Sequence, residues 1–299
     1  MNNKRVGFIG LGKIGFPIAL NIGKAGFDLT AYDALPRPEY VKQLREIGGR
    51  VVTSIKEVAN HCDVLITVLP NSTIVEDVLL SEELVSVIKP EMICVDISSG
   101  FPDDTKRIAR VLESHGVHMV DAPICNGGVP GAYLRDIKLC VGGDQEIFES
   151  VEPILSAAAK EVKHVGELGM GHSIKAISNY LIFASTSVIS EALALGTACK
   201  FDSSYLINEL KTCAASKFLN LNMAQMILSD SKSEANFRAD LAAKDLRYAS
   251  QLASNRGILS IMGNAAHELY QISVQNGYGS EEAIRAPYSM LQKLEKSTV

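Results

Sequence analysis

The sequence predicts an α/β protein in which an N-terminal doubly wound parallel sheet is followed by an all-α C-terminal domain, the two being joined by a long interdomain helix. Short apolar runs alternate with helical segments as far as about residue 165, and strand signals stop beyond Gly171. The chain has 299 residues, which exceeds the usual size of one compact domain. We therefore predict domains at residues 1–168 and 169–299.

The strands and helices of the first domain follow from its apolar runs. Residues 63–69 form a near-continuous apolar run that Pro70 stops, which is typical of a parallel strand buried on both faces. Further strands are predicted at residues 6–9, up to 33, near 51 and at 92–96, 117–121, 139–141 and 162–165, and helices at residues 39–47, from 54, at 103–114 and at 145–158.

The second domain opens with a long helix predicted at residues 172–199. Polar side chains, among them Ser178, Asn179 and Glu191, interrupt its apolar sequence, and a membrane span would not tolerate them cheaply. We therefore expect a buried helix and no membrane partner.

The most informative segment is a glycine turn between the first strand and the first helix. It has the pattern GxGxxG, in which one glycine makes the tight turn, one lets a pyrophosphate approach the backbone, and one lets the helix pack on the strand. The segment predicts that residues 1–168 are a dinucleotide-binding Rossmann domain. Its candidate cofactor-binding residues are Gly10, Leu11, Gly12, Lys13, Ile14 and Gly15.

Asp33 ends the second predicted strand, where an acidic side chain accepts hydrogen bonds from the adenosine ribose. A carboxylate there would repel a 2′-phosphate, so the sequence favours NAD as the cofactor. Arg37 follows four residues later and could still accommodate a phosphate, which leaves NADP possible.

Composition and charge narrow the class of partner. The formal net charge is −5, and the Lys and Arg residues are scattered rather than gathered into a basic stripe, so nucleic acid is not an expected partner. The first residues run directly into a strand without a signal-peptide pattern, and we expect a cytoplasmic protein.

The cysteines and histidines show no metal-binding spacing. No CxxC, HxH or HxxxH occurs, so no metal is predicted. We interpret five of the six cysteines as core residues, namely Cys62, Cys94, Cys140, Cys199 and Cys213.

Four segments resemble the β-hydroxyacid dehydrogenase family, which includes 3-hydroxyisobutyrate dehydrogenase and tartronate semialdehyde reductase. They are GFIGLGKIGFPIALNIGKAG, DAPICNGG, GMGHSIKAISN and FRADLAAKDL, and the resemblance spans nearly the whole chain. It implies transfer of a hydride between a nicotinamide cofactor and a small 3-hydroxy acid or its semialdehyde. It also implies a homodimer or homotetramer.

The DAPICNGG segment resembles the family's DAPVSGG loop, which binds the substrate carboxylate. Cys125 and Asn126 replace the family's serine, so the hydroxyl donor is missing, but the amide of Asn126 and the backbone N–H groups of Gly127 and Gly128 could bind a carboxylate. Cys125 is the cysteine that we expect near the substrate. An ordinary loop is the alternative interpretation.

The GMGHSIKAISN segment resembles the family's GxGxxxKxxNN, a match that implies a catalytic lysine at Lys175. Asn179 follows at i+4, so both side chains lie on one face of an otherwise apolar helix. Both are candidate substrate-binding residues as well, and Lys175 would be the general acid/base. The alternative is a lysine whose stem only packs on apolar neighbours.

Three further segments supply weaker signals. FRADLAAKDL resembles the family's FxxxLxxKDL and places Phe237 and Lys244 near the substrate and Lys244 and Asp245 near the cofactor. DISSGFP resembles DxSTxxP and places Ser98 near the nicotinamide and the substrate. Helix capping would also explain the polar residues at the strand ends. Candidate cofactor residues at the end of another strand are Leu69, Pro70 and Asn71.

Two other functions stay open at the level of the sequence. The altered loop is compatible with a different carbonyl substrate, such as a sulfonate aldehyde, a bulkier aldehyde acid or an imine. A non-catalytic NAD-binding sensor is the second alternative, and the lysines and acidic residues of the motifs argue against it.

Overall fold

The computed structural model describes residues 4–213, 222–228, 237–257 and 259–296. It divides into two compact units, Met1–Lys175 and Ala176–Val299. The long helix of the chain begins in the first unit and continues in the second.

A nine-stranded sheet forms the first unit. Its strands follow the order β3-β2-β1-β4-β5-β6-β8-β7, with β9 paired to β8, and the first six positions are the doubly wound order of dinucleotide-binding sheets. The strands are β1 (Val6–Ile9), β2 (Leu29–Tyr32), β3 (Arg50–Val51), β4 (Val64–Thr67), β5 (Ile93–Asp96), β6 (His118–Asp121), β7 (Ile124–Asn126), β8 (Lys138–Gly142) and β9 (Glu161–Gly166).

Helices cover both faces of this sheet. Successive residues of the central strands alternate between two apolar clusters, so that Val64 and Ile66 of β4 enter one cluster and Leu65 enters the other. The helices are α1 (Gly15–Lys24), α2 (Pro38–Glu46), α3 (Ile55–Asn60), α4 (Ser72–Leu79), α5 (Glu82–Val85), α6 (Pro102–Glu113), α7 (Gly128–Leu134) and α8 (Gln145–Ala158).

The predicted doubly wound sheet is confirmed and is mostly parallel, but its strand direction changes at β8. Strand β8 runs antiparallel to both β6 and β7, although β8 and β9 are parallel. The chain reverses between β7 and β8 through α7, whose flanking residues Gly127 and Arg135 both have a left-handed backbone. Neither β7 nor α7 is predicted from the sequence, because three and seven residues are too few to show a clear period.

The second unit contains no strand among the residues that the structure describes. Helix α9 (Met170–Ala198) leads into it and is followed by α10 (Ser203–Thr212), α11 (Asn222–Leu228), α12 (Ala239–Asn255), α13 (Ile261–Ser273) and α14 (Ala286–Lys296). A cluster around Phe183, Leu246 and Tyr270 forms one core of this unit. No helix in the described ranges is long and apolar enough to cross a membrane.

The interpretation of five cysteines as core residues holds for three of them. Cys62, Cys94 and Cys140 are buried, but Cys199 and Cys213 are exposed. These two follow the ends of α9 and α10, where the apolar face of each helix stops. For them the prediction is wrong.

Candidate active site

Each of the three glycines in the turn is glycine for a different structural reason. Gly10 has a φ of +102°, and a Cβ there would lie 2.2 Å from the carbonyl oxygen of Val68. A Cβ on Gly15 would lie 1.9 Å from the carbonyl oxygen of Gly10, so only glycine lets α1 pack this closely on the turn. A Cβ on Gly12 would meet nothing within 4 Å. Gly12 therefore faces open space, where a pyrophosphate would approach the backbone.

The N-terminus of α1 suits a bound phosphate. Its N-cap, Ile14, provides no side-chain hydrogen bond, and no acidic residue lies in its first turn. The first N–H groups of a helix point out along its axis and carry partial positive charge, so they attract an anion. Next to Gly12, Lys13 is exposed, whereas Leu11 is buried in the core. The residues of this turn therefore fit a dinucleotide.

Asp33 connects the glycine turn to the end of β2. Its Oδ2 accepts a hydrogen bond from the Leu11 N–H at 2.6 Å, and its Oδ1 accepts one from the Leu35 N–H at 2.8 Å. A carboxylate has about four lone-pair sites, so these bonds leave capacity for a ribose hydroxyl. Asp33 is thus a structural clamp of the turn, and its contact with the ribose stays a prediction.

Side chains at the ends of β4 and β5 hold these two strand ends together. The N–H of Leu69 donates to the Oγ of Ser98 at 2.9 Å, and Ser98 is buried. Asn71, which follows Pro70, is the N-cap of α4, and its side chain accepts from the Ile74 N–H at 2.9 Å. Helix capping therefore accounts for Asn71, whereas Ser98 caps no helix and acts as a brace between the strand ends.

The predicted carboxylate loop is formed by β7 and the start of α7. Asn126 is exposed, and Gly127 and Gly128 have φ values of +97° and +54°. Gly127 is the N-cap of α7, and the first N–H groups of a helix have no partner within the helix and can point at an anion. The structure therefore permits the predicted contacts with a carboxylate.

Cys125 lies in the same loop and within electrostatic range of Lys175. Burial raises the pKa of Cys125 to about 12, the neighbouring Cys140 thiol adds to this, and the positive charge of Lys175 acts in the opposite direction. The thiol keeps its proton at neutral pH and lies 3.7 Å from the carbonyl oxygen of Pro123. The charge of Lys175 is thus felt at Cys125, although the two residues come from separate sequence motifs.

The start of α9, which carries the half-buried Lys175, is anchored by a carboxylate that is not among the predicted site residues. Asp121, at the end of β6, accepts hydrogen bonds at 2.6 Å from the backbone N–H groups of Gly169 and His172. A carboxylate at the N-terminus of a helix accepts hydrogen bonds from unpaired backbone N–H groups, and its negative charge is attracted by the positive end of the helix dipole. The sequence feature that could have identified Asp121 is its position at the end of a buried strand.

Asn179 lies in the second unit, bonded to α12. Its Nδ2 donates to Oδ2 of Asp245 at 2.6 Å, and Nζ of Lys244 lies 3.1 Å from Oδ1 of the same carboxylate. Asn179 and Asp245 are both buried, so the amide and the ammonium together compensate a buried charge. The nearby Phe237 stacks on Phe183, with ring centroids 5.5 Å apart. Asp245 thus holds Asn179 in place. The predicted contact of Asp245 with the cofactor stays a prediction.

A dinucleotide-binding sheet followed by a helical unit, with a half-buried lysine at the start of the connecting helix, defines the class of NAD(P)-dependent oxidoreductases. The family model described as the NAD binding domain of 6-phosphogluconate dehydrogenase matches residues 5–166. The model described as NAD-binding of NADP-dependent 3-hydroxyisobutyrate dehydrogenase matches residues 169–290. The chain belongs to the β-hydroxyacid dehydrogenase family, and its cofactor is NAD or NADP.

Individual relatives match over most of their length. The chain is 30% identical to 2-(hydroxymethyl)glutarate dehydrogenase of Eubacterium barkeri, covering 93% of this chain and 92% of the relative. It is 31% identical to mitochondrial 3-hydroxyisobutyrate dehydrogenase of Mus musculus, covering 93% and 84%. The solved structure of Mycobacterium tuberculosis 3-hydroxyisobutyrate dehydrogenase with L-serine superposes with a TM-score of 0.80 at 23% identity, covering 96% and 99%, and so shares the fold.

Proposed function

We propose that this protein transfers a hydride from the carbinol carbon of a small 3-hydroxy acid to NAD, or from NADH to the corresponding semialdehyde. In this proposal Lys175 is the general acid/base. The observation that carries the proposal is the placement of Lys175. It lies on the first turns of α9, half-buried and within electrostatic range of Cys125 in the glycine loop.

When bound, the nicotinamide supplies the hydride acceptor or donor. The protein must bind the substrate carboxylate and move a proton at the substrate oxygen. The ammonium of Lys175 donates that proton as the alkoxide forms, and its charge stabilises the developing anion. In the direction of oxidation, the neutral amine accepts the hydroxyl proton.

The loop beside Lys175 binds the carboxylate in this proposal. Backbone N–H groups of Gly127 and Gly128 and the amide of Asn126 are its donors, and the protonated thiol of Cys125 forms a neutral wall. Because a carboxylate only accepts hydrogen bonds, Asp245 fixes the amide of Asn179 with its nitrogen toward α12. We assign Asn179 the role of orienting the substrate carboxylate or the lysine.

Turnover with a panel of hydroxy acids tests the proposal. We expect NADH to form from at least one of 3-hydroxyisobutyrate, L-serine and 2-(hydroxymethyl)glutarate, which are the compounds named with the relatives and the structural neighbour. The matched control is isobutanol, which keeps the carbinol of 3-hydroxyisobutyrate but lacks its carboxylate, and we expect no turnover with it. Parallel assays with NADP measure the preference that Asp33 predicts.

Binding of NADH without turnover of any hydroxy acid or semialdehyde would contradict the proposal. It would favour the non-catalytic sensor if sulfonate aldehydes and imines also failed to react. Turnover of only one of those two classes would instead favour an enzyme of the same fold with a different carbonyl substrate.

We also propose that the protein is a homodimer or homotetramer that associates through α9. Ile177, Leu181 and Val188 lie at helical spacing on this helix, and their exposed fractions in the single chain are 54%, 60% and 39%. A row of exposed apolar side chains on one helix commonly marks a protein interface. The cytoplasmic location stays a prediction.

A charge placed in this row is expected to weaken the association. In light scattering coupled to size-exclusion chromatography, wild-type protein should elute as a dimer or tetramer and Leu181→Glu as a smaller species. Leu134→Glu is the control, because Leu134 is 77% exposed but lies at the end of α7. A monomeric wild-type protein, or no effect of Leu181→Glu, would contradict this proposal.

A further inference from the structure

His172 is a fully buried histidine that no step of the proposed reaction uses. It lies on the first turn of α9, three residues before Lys175, and its side chain has no exposed surface. Burial of an imidazole is costly unless its ring nitrogens have partners, so the ring contacts require an explanation.

Both ring nitrogens have partners on other elements. Nε2 lies 3.0 Å from the carbonyl oxygen of Ser98, and Nδ1 lies 2.8 Å from Oγ1 of Thr105 on α6. A carbonyl oxygen only accepts hydrogen bonds, so Nε2 carries the proton that is donated to Ser98. Ser98 in turn accepts the N–H of Leu69, so the ring connects α9 to the ends of both β5 and β4.

Two buried carboxylates flank the ring. Oδ2 of Asp96 lies 3.8 Å from Nε2, and Oδ2 of Asp121 lies 3.8 Å from Nδ1. Asp96 also accepts hydrogen bonds from the Thr67 hydroxyl at 2.9 Å and the Ser98 N–H at 3.1 Å. Each carboxylate therefore lies beside the ring and holds one segment of backbone, Asp96 that of Ser98 and Asp121 that of His172.

The backbone after Ser98 packs directly on the ring. A Cβ on Gly100 would lie 2.7 Å from Cε1 and 2.9 Å from Nδ1 of His172. Only a glycine lets the chain pass the imidazole at this distance, so the ring also fixes the path of residues 98–100. Hydrogen bonds and close packing thus act on the same two segments.

We propose that His172 is a positioning residue that fixes the first turns of α9, and hence Lys175, relative to the Ser98 segment. This inference rests on the proposed function, because Lys175 and Ser98 matter for catalysis only if they face the substrate and the nicotinamide. Errors of about 1 Å in the placement of reacting groups cost up to about 100-fold in rate.

A pair of substitutions at this position tests the assignment. His172→Gln keeps an amide donor for Ser98 and an acceptor for Thr105, whereas His172→Leu fills similar volume without hydrogen bonds. We expect His172→Leu to lower kcat by about 10- to 100-fold, while the Kd for NADH from fluorescence changes less than about threefold. His172→Gln should restore kcat to within about fivefold of wild type.

Hydrogen exchange on the protein without cofactor provides a readout that does not depend on activity. In His172→Leu, peptides covering residues 97–105 and 169–175 should exchange at least about tenfold faster than in wild type, and His172→Gln should stay close to wild type. Gly100→Ala, which presses on the ring from the other side, should give the same exchange pattern as His172→Leu.

The matched control is His164, a second histidine of the same unit that bonds a backbone carbonyl. Its Nε2 lies 2.8 Å from the oxygen of Gly143, and it contacts neither α9 nor Ser98 by hydrogen bond. His164→Leu should lower the thermal stability but leave kcat near the wild-type value.

If His172 has a purely structural role, His172→Leu should have a lower melting temperature but the same kcat as wild type when assayed well below that temperature. This result would overturn the proposal. Unchanged exchange in both peptides would also overturn it. If the wild-type protein turns over no hydroxy acid, the proposed function fails, but the exchange experiment still decides whether His172 holds the two segments together.

Discussion

Replacing Lys175 with alanine is expected to lower kcat for the hydroxy acid by about 1,000-fold, because a positioned general acid commonly contributes 10²- to 10⁴-fold. That loss corresponds to about 4 kcal/mol of transition-state stabilisation. The lysine acts on the substrate oxygen in this account and does not hold the cofactor, so the Kd for NADH should change less than about threefold. Steady-state kinetics and NADH fluorescence measure the two quantities on the same sample.

Two controls separate proton transfer from other contributions of this side chain. Lys175→Met keeps most of the apolar stem and should be as inactive as the alanine variant, which excludes a packing effect. Lys163→Ala removes an exposed lysine from β9 of the same unit and should leave kcat unchanged. A Lys175→Ala variant with kcat within tenfold of wild type would contradict the assigned role.

Replacing Gly12 with alanine is expected to have the second largest effect, and it should act on cofactor binding alone. The added methyl group meets no protein atom within 4 Å, so the unfolding free energy should stay close to that of wild type. The methyl group occupies the space through which a pyrophosphate reaches the backbone N–H groups. Loss of one charge-assisted hydrogen bond costs about 1.5–3 kcal/mol, so the Kd for NADH should rise by about 10- to 100-fold.

Gly15→Ala is the matched comparison in the same turn. Its methyl group would lie 1.9 Å from the Gly10 carbonyl oxygen, so the turn and α1 must move apart. We expect a loss of roughly 1–3 kcal/mol or more in unfolding free energy, measured by urea denaturation. A Gly12→Ala variant that binds NADH like wild type would show that the pyrophosphate does not pass this glycine.

The sequence predicted those parts of the fold that depend on long apolar runs. Strand β4 is buried on both faces, so its run of apolar residues is distinctive, and α9 is long enough to show its period. Strand β7 and helix α7 are short, and their geometry depends on the left-handed backbone at Gly127. The reversal of β8 follows from that turn, which the apolar pattern does not encode.

The sequence predicts members of the candidate site only where a short motif contains them. Lys175 and Asn179 form a pattern within one helix, whereas His172 depends on Ser98 and Thr105, which are 74 and 67 positions away. Side-chain bonding also adds a role that the sequence does not predict. The carboxylate of Asp245 is bonded to Asn179 and Lys244, and its predicted contact with the cofactor stays a prediction. Such partnerships depend on packing and cannot be read from spacing.

Transfer of deuterium is the most direct test of the central claim that this protein moves a hydride from a 3-hydroxy acid to NAD. The protein is incubated with NAD and with 3-hydroxyisobutyrate, L-serine or 2-(hydroxymethyl)glutarate carrying deuterium on the carbinol carbon, and the reduced cofactor is examined by mass spectrometry and NMR. We predict deuterium at C4 of the nicotinamide with at least one substrate. NADH without deuterium, or no reduced cofactor from any of the three acids, would contradict the account.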